Sequence, residues 1–127
     1  MGNILKSVAS GQGEPDLQVA FKSAMRRFAA TVTILTAGNG GARSGMTATA
    51  VSSVSTNPPA ILACVNRAAS IHSSMKLSSP FCVNLLAAHQ GPLSSAFGGK
   101  LPPEHRFSMG NWDIDDDGRP YLLDAQA

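Results

Sequence analysis

The chain reads Thr31-Val-Thr-Ile-Leu-Thr36, then Gly38-Asn-Gly-Gly41, and then an extended run over residues 45–55. β-Branched residues fill the first segment and mostly alternate along it, which predicts a β-strand. The Asn-Gly pair favours the positive φ angles of a tight hairpin, so we expect the chain to reverse there. Asn57-Pro58-Pro59 follows the extended run and predicts its end, because proline donates no hydrogen bond to a ladder.

Around this hairpin the sequence predicts short strands with helices inserted between them. Asp16 is predicted as the N-cap of an amphipathic helix whose apolar residues recur at helical spacing up to Phe28. Further strands are predicted over residues 60–65, 81–86 and from Tyr121 onward, short helices over 70–77 and 89–97, and a turn-rich segment over 98–120. Because strands dominate without regular alternation, we predict a mostly β fold with peripheral helices, as a small barrel or sandwich. Residues 1–16 are expected to be a flexible N-terminal tail and residues 17–127 one domain.

Composition excludes several classes of protein. Of the 127 residues, 43% are apolar and 14% are charged, and the net charge is +2. Such a chain is too apolar to be disordered, and its small charge argues against a dedicated nucleic-acid binder. No apolar run approaches the ~18 residues of a membrane span, and no signal-peptide core is found, so we expect a cytoplasmic protein. Cys64 and Cys82 lie in separate apolar runs, which predicts two free, buried thiols.

The charges are unevenly distributed along the chain. Eight of the ten basic residues, but only two of the eight acidic ones, precede Glu104. The basic part could favour a small anionic ligand, or it could be ordinary surface patterning, which we prefer on charge alone.

The run over residues 44–56 is unusually rich in small and hydroxyl-bearing side chains. On one extended strand, Thr47, Thr49, Val51, Ser53 and Ser55 would share a face. Hydroxyls and free backbone groups can bond the polar edge of a flat heterocycle such as a flavin or a pterin, while Ala and Gly let it approach the chain. The alternative is a half-exposed strand with no ligand.

The segment Cys64-Val-Asn-Arg67-Ala-Ala-Ser70 joins a predicted strand end to a predicted helix start. A guanidinium beside helix-terminal amides would make a phosphate cradle. The alternative is a helix capped by Ser70 with a solvated Arg67.

Other site types have weak or no support. The acidic run Asp113-Ile-Asp-Asp-Asp117-Gly118 partly matches a calcium loop, but Pro120 and the lack of an exit helix argue for a hydrophilic loop. The three histidines have no ligand spacing, and no nucleophile elbow is present. The sequence therefore predicts no metal site and no catalytic nucleophile.

In order along the chain, these segments resemble the flavin reductase family, whose fold is an FMN-binding split barrel. The resemblance runs from about Leu17 to the end in unbroken order. It is carried by residues 21–36, Gly45-Met-Thr-Ala48, Ser53-Val-Ser55 with Asn57-Pro58-Pro59, Cys64-Val-Asn-Arg67 with Ser70, Phe81-Cys-Val-Asn-Leu-Leu86, Arg106-Phe107 with Trp112, and Gly118-Arg-Pro-Tyr-Leu-Leu-Asp-Ala125.

The resemblance implies an NAD(P)H-dependent flavin reductase that transfers a hydride from NADH or NADPH to FMN or FAD. Such enzymes are typically homodimers, and they often supply reduced flavin to a partner monooxygenase. The cofactors carry this chemistry, which agrees with the lack of a predicted nucleophile or metal.

The site residues implied by the resemblance come from four segments. Gly45, Met46, Thr47 and Ala48 would line the flavin ring, with Ser53, Val54 and Ser55 beside it. Cys64 and Val65 would pass under the ribityl chain, while Arg67 and Ser70 would hold phosphate. Arg106 and Phe107 are implied on the nicotinamide side.

The sequence departs from the family at its C-terminal end. Family members continue past the Leu-Asp-Ala match with further strands and a Gly-Asp-His segment that meets the nicotinamide, whereas this sequence stops at Ala127. We therefore expect an incomplete split barrel. A non-catalytic flavin-binding or dimerisation module stays open as the alternative function.

Overall fold

The computed structural model describes residues 14–39 and 41–127, which belong to two compact units, Met1–Ala30 and Thr31–Ala127. The first unit contains helix α1, Glu14–Met25. This helix begins two residues before Asp16, so the predicted tail extends too far into it. The reason is that proline is tolerated in the first turn of a helix, and Pro15 therefore does not delay its start. The rest of the predicted tail lies outside the described residues.

The second unit contains all the described strands, arranged in three antiparallel sheets. The largest sheet has the order β2-β1-β5, and the others are the hairpins β3-β4 and β6-β7. The strands are β1 Thr33–Asn39, β2 Ala42–Ala48, β3 Val51–Thr56, β4 Pro59–Ala63, β5 Phe81–Leu85, β6 Trp112–Ile114 and β7 Pro120–Leu122. Asn39 lies opposite Ala42 in the ladder, which confirms the predicted hairpin between β1 and β2.

The run over residues 45–55 is not one strand, which corrects the sequence prediction. β2 ends at Ala48 and pairs with β1, whereas β3 begins at Val51 and pairs with β4 in a different sheet. Between them the carbonyl of Ala50 accepts a hydrogen bond from the Cys64 N–H at 2.9 Å, outside both ladders. The shared face predicted for residues 47–55 is therefore not formed. The predicted stop is confirmed, because β3 ends at Thr56 and the turn contains a cis Asn57–Pro58 bond.

Strand β1 is the centre of the core, since its residues 33–37 are at most 2% exposed. Ile34 packs in a cluster with Leu93 and Phe97, while Leu35 packs in a second cluster with Ile71. Alternating side chains of one strand thus enter two apolar clusters, as the pleat requires.

Buried polar groups of β1 have hydrogen-bond partners. Thr33 Oγ1 donates to the Ala48 carbonyl at 2.7 Å, and Thr36 Oγ1 donates to the Pro120 carbonyl at 2.5 Å. These bonds offset the cost of burying two hydroxyls and link β1 to its neighbours.

The helical segments are shorter and less regular than predicted. A 3₁₀ helix, Ser70–Ser74, replaces the predicted helix over 70–77, and its N-cap is Ala69 rather than Ser70. The segment predicted as a helix over 89–97 consists of a 3₁₀ turn Ala88–Gln90, helix α2 Gly91–Ser95 and a π turn Ala96–Lys100. The turn-rich segment contains a further 3₁₀ helix, Pro103–Ser108.

The end of the described chain meets the outer edge of β5. Leu85 N–H donates to the Ala127 carbonyl and Gln126 N–H donates to the Leu85 carbonyl, both at 2.8 Å. Two residues opposite one is the pattern of an antiparallel β-bulge. The combination of antiparallel sheets with short helices confirms the coarse fold class, mostly β with peripheral helices. The described strands form no closed barrel. Within residues 14–39 and 41–127, no helix has the length and apolar character needed to cross a membrane.

Candidate functional site

A cavity of about 370 Å³ in the second unit gathers several residues that the sequence analysis singled out. Its volume lies within the roughly 300–1,000 Å³ typical of small-molecule sites. It is lined by Met46 and Thr47 from β2, Ala68, Ala69 and Ser70 before and at the first 3₁₀ helix, Phe97 and Gly98 from the π turn, and Pro103 and Arg106 from the last 3₁₀ helix. Met46, Thr47, Ser70 and Arg106 are among the predicted site residues.

The β2 wall of this cavity depends on a glycine. A Cβ on Gly45 would lie 2.6 Å from Phe97 Cε1, so only glycine lets that ring pack against the strand. Next to it, Thr47 Oγ1 donates to the Ser94 carbonyl at 2.6 Å and keeps acceptor capacity on its oxygen. Gly45 therefore shapes the wall, while Met46 and Thr47 line it.

Arg106 gives the cavity a fixed positive charge. Its Nη1 donates to the Gly45 carbonyl at 2.8 Å and its Nε donates to the Leu101 carbonyl at 3.2 Å. The side chain is half-buried, no carboxylate lines the cavity, and Arg106 forms no ion pair with the described side chains. Three of its five N–H donors are left by these two bonds, so the cavity favours an anionic group.

The segment before the first 3₁₀ helix forms the opposite wall. Asn66 Oδ1 accepts a hydrogen bond from the Ala68 N–H at 2.9 Å, which makes an Asx turn that shapes the lining residues Ala68 and Ala69. Arg67 and Ser70 are exposed. The element that follows is the 3₁₀ helix Ser70–Ser74, so the helix-terminal amides of the predicted phosphate cradle belong to a 3₁₀ helix rather than to an α-helix, and the cradle stays a prediction. The guanidinium of Arg67 and the hydroxyl of Ser70 remain the phosphate-binding candidates of this segment.

Three aromatic rings pack together, and one of them, Phe97, lines the cavity. Phe97 lies 5.2 Å from Phe107 and 5.2 Å from Trp112, measured between ring centroids. Trp112 Nε1 also donates to the Met109 carbonyl at 2.7 Å, which holds the indole in this cluster. The guanidinium carbon of Arg43 lies 4.9 Å from the centroid of the Phe107 ring, which is a cation–π contact. Phe107 thus packs in this cluster rather than lining the cavity.

Comparison with known families shows that residues 25–127 match the flavin reductase like domain. The chain belongs to the flavin reductase family. The match includes every residue that lines the cavity and the whole β2-β1-β5 sheet.

Individual family members resemble the chain over most of its length. It is 47% identical over 105 residues to the FMN reductase (NADH) RutF of Agrobacterium fabrum, covering 83% of this chain and 60% of that protein. The structure of a homologue of nitrilotriacetate monooxygenase component B from Mycobacterium thermoresistibile superposes with a TM-score of 0.80 at 27% identity. The superposition covers 89% of this chain and 62% of that one. A second structure is the NADH:FAD oxidoreductase SgcE6 of Streptomyces globisporus, solved with NAD and FAD fragments. It superposes with a TM-score of 0.76 at 28% identity, covering 91% of this chain and 68% of that one. The chain thus spans about three-fifths of the length of the first of these relatives.

Other residues implied by the flavin reductase resemblance lie outside the cavity lining. Ala48 is buried in the second core cluster and Val65 packs against it. Ser53 lines a different cavity of about 340 Å³, whereas Val54 is 65% exposed. Ser55 lies on β3 as well, and Cys64 is exposed just after β4.

Several lining residues of this flavin reductase domain were missed by sequence reasoning, namely Ala68, Ala69, Phe97, Gly98 and Pro103. Ala68 and Ala69 lie inside the segment Cys64-Val-Asn-Arg67-Ala-Ala-Ser70, and this position beside Arg67 and Ser70 is the signal that could have identified them. The other three carry no local signal, because they reach the cavity only through long-range packing.

A third cavity, of about 400 Å³, lies along β5 and is lined by Cys82, Asp115 and Arg119 among others. Burial raises the pKa of the Cys82 thiol, and nearby Arg119 partly opposes this. Hydrogen bonds from Arg119, first from its backbone N–H, lower the pKa of Asp115. Both cysteines are free, but Cys64 is exposed and Cys82 half-buried, so the prediction of two buried thiols is wrong. Neither cysteine belongs to the two core clusters.

Two carboxylates of the acidic loop, Asp115 and Asp117, form ion pairs with Arg119. Asp115 Oδ2 lies 2.6 Å from Arg119 Nε, and Asp117 Oδ2 lies 3.0 Å from Arg119 Nη2. Among the residues that the structure describes, no group of three or more histidine, cysteine or acidic side chains could hold a metal ion.

Proposed function

We propose that the cavity beside Arg106 holds a flavin and that the protein is an NAD(P)H-dependent flavin reductase. The observation that carries this proposal is that residues predicted separately from the sequence lie together in the structure. Met46, Thr47, Ser70 and Arg106 come from three distant segments of the chain and line one cavity. Family membership supports the same reading, because relatives named as NADH-dependent FMN reductases share this stretch of chain.

The chemistry of the lining suits a flavin. Met46 and Pro103 offer apolar surface for a flat ring, while Thr47 and Ser70 offer hydroxyls for its polar edge or side chain. Arg106 supplies a positive charge that no carboxylate in the lining neutralises. A phosphorylated heterocycle has both an apolar body and an anionic group, which matches this division.

The residues of the chain would bind and orient the ligand rather than react with it. A bound flavin supplies the hydride-accepting chemistry. Apolar side chains at Met46 and Phe97 would exclude water from the ring, and Thr47 would hold its orientation by a hydrogen bond. Arg106, held by two backbone carbonyls, is a preorganised positive charge, and such charges stabilise negative charge that develops nearby.

A second candidate is a module of the same fold that binds flavin, or only dimerises, without turnover. The observation in its favour is that the chain matches about three-fifths of the length of the first relative, so about two-fifths of that relative has no counterpart in the match. The two candidates differ in whether NADH is consumed.

We extend the proposal to assembly and partners. Four properties remain predictions: the split-barrel fold, a homodimeric assembly, a cytoplasmic location and the delivery of reduced flavin to an oxygenase. Exposed apolar side chains on the β3-β4 hairpin, Val54 at 65% and Leu62 at 55%, support a subunit interface. The name of one structural relative, a monooxygenase component B, supports an oxygenase partner. We favour FMN as the flavin and NADH as the hydride donor, because relatives are named FMN reductase (NADH). FAD and NADPH are the alternatives.

The decisive test combines binding with turnover. Purified protein is titrated with FMN and FAD by flavin fluorescence, and NADH and NADPH are then added while their near-ultraviolet absorbance is followed. We expect flavin binding and flavin-dependent loss of NADH. Binding without NADH loss would favour the non-catalytic flavin-binding module. No binding of either flavin would refute the flavin reductase and the flavin-binding module, and would leave only a module that dimerises.

Substitution of Arg67 tests the phosphate assignment. Arg67→Ala should weaken FMN binding by about 1.5–3 kcal/mol and leave riboflavin binding nearly unchanged, because only FMN carries the phosphate. Lys76→Ala is the matched control, since Lys76 is also an exposed cation but, unlike Arg67, is not adjacent in sequence to a residue that lines the cavity. An equal loss for both ligands would remove the phosphate role of Arg67.

A further inference from the structure

Gly98 lines the candidate flavin cavity although nothing in the fold requires a glycine there. Its φ lies outside the left-handed region. A Cβ built on it would meet only Thr47, at 3.8 Å, which is ordinary van der Waals contact. The residue is also exposed, so no packed neighbour excludes a side chain.

This freedom is unusual among the glycines that the structure describes. Gly91 shares it, with no atom within 4 Å of its built Cβ and helical backbone angles. Each of the other six has a left-handed φ or a neighbour within 2.8 Å of the built Cβ. Glycine in a helical turn costs stability relative to alanine, so an unneeded glycine calls for another explanation.

The position of Gly98 supplies that explanation. Of the two glycines without a structural requirement, Gly98 lines the cavity and Gly91 does not. A Cβ at residue 98 would lie 3.8 Å from Thr47, which lines the same cavity. The neighbouring lining residues Met46 and Phe97 are apolar, which suits a ring better than a phosphate.

We propose that Gly98 is a binding-site residue that leaves room for the flavin ring to lie against the main chain beside Thr47. The inference rests on the proposed flavin site and adds the part of the ligand that this wall contacts. A methyl group at residue 98 would take the space of the ring while leaving the fold intact. The glycine is thus kept for binding at the expense of local stability.

The experiment compares Gly98→Ala and Gly98→Ser with Gly91→Ala in the full chain. Binding of FMN and of riboflavin is measured by fluorescence titration, and Tm is measured without ligand. We expect both Gly98 variants to bind FMN and riboflavin roughly tenfold or more weakly, since one misplaced methyl in a fitted pocket has about that effect. Their Tm should equal or exceed the wild-type value, and Gly91→Ala should change only Tm.

The outcomes separate the inference from the proposed function. Wild-type affinity in both Gly98 variants would overturn the role of Gly98 and leave the flavin site standing. A loss confined to FMN would overturn contact with the ring, because riboflavin has the same ring. A fall in Tm that accompanies the loss of affinity in both variants would mean a structural role and would also overturn the inference. Failure of the wild-type chain to bind any flavin would overturn the proposed function and the inference together.

Discussion

Replacing Asn84 by leucine should remove a polar connection between three strands. Asn84 lies on β5 and is 2% exposed. Its Nδ2 donates to the Ile34 carbonyl of β1 at 2.9 Å and to Thr36 Oγ1 at 3.1 Å. Its Oδ1 accepts the Leu122 N–H of β7 at 2.8 Å. One buried amide therefore links the central sheet to the last described strand.

The expected loss follows from these bonds. Leucine branches like asparagine but is larger, so overpacking at this buried position can only add to the loss that the hydrogen bonds predict. The Leu122 N–H would be left buried without this partner, which costs about 1–3 kcal/mol. Loss of the two donated bonds adds about 0.5–1.5 kcal/mol each, for a total of about 2–6 kcal/mol. Since small domains are stable by only about 5–15 kcal/mol, this is a large fraction of the free energy of unfolding.

The assay is urea unfolding followed by circular dichroism and by the fluorescence of the single tryptophan, Trp112, with linear extrapolation to water. Asn111→Leu is the matched control, because Asn111 is exposed, and it should change stability by less than about 0.5 kcal/mol. A loss below about 1 kcal/mol for Asn84→Leu, with an unchanged m-value, would refute the reasoning that Asn84 links the strands.

Three further predictions rest on single contacts. Hydrogen bonds from Arg119 lower the pKa of Asp115, so the stability they provide is present above the ordinary carboxyl pKa of 3.8 and is lost as the pH falls through the lower folded-state value. Asp115→Asn should therefore lower Tm at neutral pH but not in strong acid, and an equal deficit at both would contradict this. Exposed Cys64 should react with a thiol reagent well before half-buried Cys82, whose pKa is raised by burial, as mass spectrometry of the labelled peptides would show; equal rates would contradict the burial argument. Gly45→Ala should destabilise the fold by about 1–3 kcal/mol, because the new Cβ overlaps the Phe97 ring. Thermal melts test this, with an unchanged Tm as the contrary result.

Local chemistry accounts for the parts of the fold that were predicted correctly. The hairpin between β1 and β2 follows from β-branched residues flanking an Asn-Gly turn, and the end of β3 follows from adjacent prolines. Both signals act within a few residues, where the preferences of the backbone dominate. The boundary between β2 and β3 was missed because residues 48–51 have the same small, extended character on both sides of the break.

The sequence by itself determined the family, through the order of its motifs, and the hairpin, through local turn preferences. It also supplied the residue types of a candidate flavin site. Only the tertiary structure decided which of those residues share a cavity. Met46 and Arg106 lie sixty positions apart in the chain, and a hydrogen bond from Arg106 to the Gly45 carbonyl brings their segments together. Ser53 and Thr47, close in sequence, line different cavities because their strands join different sheets. Strand pairing and packing couple distant residues, and no preference of a short segment encodes that coupling.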